Sequence, residues 1–111
     1  MLKFKITTDP TFSHPVEVFV PVDGGHAKQT FRATFGVLPS DQERQFDLQT
    51  AEGSDGFLRA IVRSLDDLVD EKDEAVPYSD ALRDQLLQLP YVRQALVRTY
   101  YAGIQKGPAG N

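Results

Sequence analysis

The stretch from Phe57 to Gly103, FLRAIVRSLDDLVDEKDEAVPYSDALRDQLLQLPYVRQALVRTYYAG, decides how this chain folds. Phe57, Leu58, Ile61, Val62, Leu65, Leu68 and Val69 recur at steps of three and four, the spacing of one apolar helix face. An acidic run follows, and then Pro77-Tyr78-Ser79-Asp80 opens a second helix with Ser79 as its cap. Asp80 suits the positive end of that helix, and Leu82, Leu86 and Leu89 form its buried stripe. Leu89-Pro90 breaks it. Pro90 then starts a third helix, where the missing N–H costs nothing. That helix buries Val92, Leu96, Thr99 or Tyr100, and Ile104, and Gly103 lies at its end. Lys106 to Asn111 reads as a flexible tail.

Upstream, Leu38-Pro39-Ser40-Asp41-Gln42-Glu43 has capping-box spacing, with Ser40 as cap and Glu43 three residues on. The short helix it predicts turns Phe46 and Leu48 inward, and a mobile loop spans Thr50 to Gly56. Before Leu38 the period is two. Phe4 and Ile6 alternate with Lys3, Lys5 and Thr7, and Asp9-Pro10 and Ser13-His14-Pro15 read as a turn and a corner. Val16, Val18, Val20 and Val22 share one strand face. Gly24 and Gly25 supply a hairpin turn, and Phe31, Ala33, Phe35 and Val37 share a face of the return strand. Pro21 cannot donate to a ladder, so the valine strand lies at an edge or ends there. The expectation is one α+β domain. A small N-terminal antiparallel sheet of two to three strands (1–38) is packed by about four C-terminal helices (39–105), with 106–111 as the tail.

Composition narrows the function. The 111 residues are 41% hydrophobic and 25% charged, as in an ordinary folded domain. Without cysteine there is no disulfide and no thiolate ligand or nucleophile, which fits a reducing cytoplasm. No apolar run approaches the roughly 20 residues that span a bilayer, so no membrane association is expected. A net charge of −4 argues against nucleic acid. Asp66 to Glu74 carries six carboxylates in nine residues, but it lacks the central glycine and alternating ligands of a calcium loop. A solvated loop is expected there, or a patch for a basic partner segment. His14 and His26 fall in predicted turns without a partner at metal-ligand spacing, and Ser40, Ser54 and Ser79 sit where caps sit. No enzyme activity, cofactor or metal is expected.

From Val16 to Asn111 the order of elements resembles the tail assembly chaperones of long-tailed, siphovirus-type bacteriophages. The shared outline runs Val-Phe-Val-Pro (18–21), a glycine turn, Thr-Phe-Arg-Ala-Thr-Phe (30–35) and a short polar helix. It continues through Gly-Phe-Leu (56–58), Asp-Asp-Leu-Val-Asp-Glu (66–71) and Val-Pro-Tyr-Ser (76–79). It closes with Pro-Tyr-Val-Arg-Gln-Ala-Leu-Val-Arg-Thr-Tyr-Tyr-Ala-Gly (90–103). The chain departs from that outline at Ser64-Leu65, where relatives often carry glycine and tryptophan, and at Lys72-Asp73, where they often carry glycine.

The resemblance implies a non-enzymatic helper in the host bacterial cytoplasm, absent from the mature virion. Such a helper binds the tape measure protein and assists polymerisation of the major tail tube protein. Amphipathicity offers Phe57, Tyr78, Tyr91, Tyr100 and Tyr101 as contact residues, each of which could equally fill the core. The alternatives are a small structural tail component of the virion and a regulatory adaptor. An exposed sheet edge also makes a homo-oligomer plausible. Members of the family are often made in two lengths by a ribosomal slip of one base backward, and Gln105-Lys106-Gly107 can encode such a site.

Overall fold

In the computed structural model, which describes residues 1–105, seven elements follow one another. They are β1 (Thr11–Val22), β2 (Gly25–Gly36), α1 (Ser40–Glu43), α2 (Ala51–Ile61), β3 (Val62–Asp66), α3 (Asp80–Leu86) and α4 (Pro90–Ile104). The fold is α+β: a three-stranded antiparallel sheet in the order β1-β2-β3, with four helices. One sheet face meets the helices through Val16, Val18, Phe31, Ala33 and Phe35. Phe57, Leu58 and Ile61 from α2 and Val92, Ala95, Leu96 and Tyr100 from α4 complete a single core. The glycine-rich tail and most of the Gln105–Gly107 slip site lie outside the described residues.

The hairpin turns at Asp23-Gly24, and only Gly24 takes a positive φ, of 79°. Ser13, His14 and Pro15 form no corner; all three lie within β1, and His26 lies within β2, so neither histidine is in a turn. Residues 1–10 do not form the predicted first strand, and Leu2, Phe4 and Ile6 stand in solvent. A strand needs a partner edge, and this segment pairs with none among the described residues.

The largest departure comes inside the diagnostic stretch. The helix expected from Phe57 to Val69 stops at Ile61, and Val62–Asp66 pairs with β2 as the third strand. A bulge lets both patterns fit the same letters. Leu65 lies opposite Ala33 and Val62 opposite Phe35, with Arg63 as the extra residue between them. Two apolar residues three apart, the helical spacing, therefore face the same core from a strand. Val69 is exposed and Leu68 only partly buried.

Cap chemistry explains the next differences. Ser40 is the first helical residue of α1 rather than its cap, and Pro39 precedes it without a side-chain hydrogen bond. The expected loop from Thr50 to Gly56 is the first half of α2, because Thr50 Oγ1 accepts from Gly53 N–H at 3.0 Å. Gly53 and Gly56 serve close approach there. A Cβ on Gly53 would overlap the Asp47 backbone, and one on Gly56 would lie 2.9 Å from the Phe46 ring. Leu48 points outward, not inward.

Ser79 caps α3 as expected, accepting from Leu82 N–H at 3.0 Å. The deepest leucine of that region is Leu87, at the helix end, while Leu82, Leu86 and Leu89 are partly buried. Pro90 opens α4. Gly103 lies within α4 rather than ending it, because the Phe12 ring packs where a side chain would stand, and Ile104 is exposed. The acidic run folds into a tight loop closed by the Val69–Ala75 bridge. Asp70 Oδ1 accepts from the N–H groups of Lys72 and Glu74 at 2.8 and 3.0 Å.

Candidate interaction surface

The five aromatic candidates do not form one patch. Phe57 and Tyr100 are buried to within 1% of full enclosure, and Tyr78, Tyr91 and Tyr101 are partly buried. Phe57 stacks on Tyr101 at 6.1 Å and meets Tyr100 edge-on at 5.7 Å. Phe12 and Phe35 extend the cluster on the sheet side, with Phe35 5.7 Å from Tyr100. The Tyr100 hydroxyl accepts from Leu38 N–H at 3.0 Å, which ties the end of α4 to the segment leaving the sheet. This group is the centre of the core. Tyr78 stands apart before α3, its hydroxyl donating to Asp80 at 3.2 Å, and burial pushes its pKa up. Tyr91 sits in the first turn of α4.

The Tyr101 hydroxyl donates to the Glu43 carboxylate. Burial, reinforced by that carboxylate, pushes the phenol up to about 12 from the ordinary 10.0. The folded state therefore holds this proton more tightly than the unfolded chain. Its contribution to stability is complete below pH 10 and is lost as pH rises through about 12. Ultraviolet titration should show late-ionising tyrosine whose amplitude falls by one residue in Tyr101→Phe, leaving the raised Tyr78; a late amplitude unchanged in that variant would overturn the assignment.

The outer flank of α4 carries surface that periodicity missed. On one side a groove of 360 Å³ runs between α4 and β1, lined by His14, Pro15, Glu17, Arg98, Thr99 and Ala102. On the other side a depression of 390 Å³ is lined by Ser54, Arg93, Gln94, Val97 and Arg98. Arg98 borders both. Its guanidinium donates to the Glu17 carbonyl at 2.9 Å and lies 5.8 Å from the centre of the Phe19 ring. Phe19 is 48% exposed, and Ile104 is 45% exposed on the face it shares with Val97 seven residues earlier. Behind this flank Arg93 braces the packing, donating to the Leu87 carbonyl at 3.0 Å, to Ser54 Oγ at 2.7 Å, and to Asp55.

The only sequence signal for Arg98 was its place opposite the buried stripe of α4. Phe19 could be recognised as standing on the outer face of a valine strand.

No family model, curated protein or solved structure matches this chain.

Proposed function

We propose that this protein is a non-enzymatic tail assembly chaperone of a long-tailed bacteriophage or prophage. It binds the tape measure protein in the host cytoplasm, assists assembly of the tail tube protein around it, and leaves before the virion matures. The order of sequence elements from Val16 onward motivates the reading. The observation that carries it is the open flank of α4, where two shallow depressions share Arg98 and half-exposed Phe19 and Ile104 add apolar contact. A helical client with an apolar stripe fits such a surface, which can cover the stripe and release it again. Phe57 and Tyr100 act behind that surface by holding α4 in position, while Tyr78, Tyr91 and Tyr101 keep part of their rings reachable.

Co-expression tests the reading. The wild-type chain should raise the soluble fraction of the tape measure protein encoded beside it. Phe19→Asp combined with Ile104→Asp, both at exposed positions, should abolish that gain while leaving the circular dichroism spectrum unchanged. Unaltered client solubility with the wild-type chain would sink the proposal. Stoichiometric recovery of the protein in purified virions would favour a small structural tail component instead.

A further inference from the structure

Residues 2–7 carry the alternation of a strand but join no sheet. Leu2, Phe4 and Ile6 are 94%, 92% and 95% exposed and alternate with Lys3 and Lys5. Extended, such a segment lines three large apolar side chains along one face. We infer that this arm completes the sheet of a second copy of the chain, pairing along residues 25–30 of β2.

The pairing pattern selects that edge. Val22 and Gly25 flank a two-residue turn and so form a hydrogen-bonded pair; the even residues of β1 and the odd residues of β2 therefore bond to each other. The odd residues of β1 and the even residues of β2 point their backbone groups outward. Along β1 the outward positions include Pro15 and Pro21, which have no N–H, and Glu17, whose carbonyl is taken by Arg98. That edge is closed to a strand. The outer edge of β3 is five residues long and interrupted by the bulge at Arg63.

Along β2, Arg32 and Thr34 pair with β3, but β3 ends at Asp66 and the chain turns away at Asp67, where φ is 63°. His26, Lys28 and Thr30 are left exposed, with no backbone partner among the described residues. Six residues, 25–30, lie open, and the arm from Leu2 to Thr7 has the same length. On that edge Leu2, Phe4 and Ile6 can extend the apolar face that the half-buried Val20 and Ala27 present at the margin of the core.

The full length of an arm cannot lie along its own edge. Asp9 is clamped by the Arg63 guanidinium through two bonds of 2.9 and 2.7 Å, at the end of the sheet away from the hairpin turn. That fork also holds the Asp9 carboxyl below the usual carboxylate range. Thr30 lies six residues along β2 from Gly36, roughly 20 Å at strand rise. The three residues from Asp9 back to Ile6 span at most about 11 Å. β3 stands between.

With its apolar side chains on the core face, the arm would set Lys3 and Lys5 on the face of Lys28, whose charge Glu17 offsets at 3.7 Å, and of Asp66, where the edge ends. Each copy contributes one arm and one edge, so the exchange closes as a two-fold dimer. This inference stands independently of the chaperone reading.

Light scattering on the full chain tests it. The wild type should have the mass of a dimer. Phe4→Asp with Ile6→Asp, which touches no packed residue, should halve the mass. Thr30→Pro should also halve it, because proline there removes only an outward N–H. If Thr30→Pro fails to fold by circular dichroism, the arm variant decides alone. A monomeric wild type, a dimeric arm variant, or a Thr30→Pro variant that folds and stays dimeric would each overturn the inference.

Discussion

Phe57→Ala should destabilise the protein by about 3–5 kcal/mol, the cost of deleting a fully buried aromatic ring. Phe57 is 1% exposed and touches three other rings: Tyr101 in a near-parallel stack with planes 13° apart, and Tyr100 and Phe46 edge-on. These rings come from three separate stretches of chain, so collapse around an alanine would have to move α2, α4 and the segment after α1 together. Against a total stability of about 5–15 kcal/mol, the loss should show plainly in urea denaturation. Phe57→Leu keeps most of the volume and should recover much of it. The pair also separates two roles for this residue. If Phe57 only supports α4, client solubilisation should follow the folded fraction in both variants. If the leucine variant folds fully yet loses the client, Phe57 contacts it.

Leu65→Ala should cost about 2–5 kcal/mol, because the side chain is 1% exposed in the core. Burial alone would predict this for a helix or a strand, so a second substitution distinguishes them. Within β3, opposite Ala33, a β-branched residue suits the pleat. Leu65→Val should therefore be clearly more stable than Leu65→Ala. In a helix the greater propensity of alanine would narrow that gap. Equal stabilities for the two variants in denaturant melts would count against the strand.

Much of the architecture could be read from the letters because most elements carry a local signal. The glycine turn at 24, the alternation on both sides of it, the Ser79 cap and the Pro90 start each depend on neighbours within a few residues, and each appears in the fold. The misread places depend on distant contacts. Nothing near Val62 says that β2 will offer Thr34 and Phe35 as partners, and the bulge at Arg63 gives a strand the three-residue spacing of a helix. Nothing local marks Thr50 as a cap, because glycines at 53 and 56 suit a loop as well as the close packing against Asp47 and Phe46 that they serve. Amphipathicity identified Phe57 and Tyr100 as important without telling core from surface, since an aromatic on the apolar face of a helix suits both. Arg98 was not identified, because its partners, the Glu17 carbonyl and the Phe19 ring, lie about eighty residues away in sequence.

The packing of α4 against β1 also sets a timetable for synthesis. The hairpin leaves the ribosome first, yet the apolar face it carries at Val16, Val18 and Phe31 shares a core with Leu96 and Tyr100 near the far end of the described chain. A two-stranded hairpin is marginal by itself in water. The nascent chain must therefore expose that face until residues 90–104 have cleared the exit tunnel. The domain therefore closes only after α4 has been made, since its first-made strands wait for its last-made helix. During that interval the hairpin is at its most vulnerable to wrong pairing, and the prolines at 15 and 21 already guard its outer edge before any helix exists to do so.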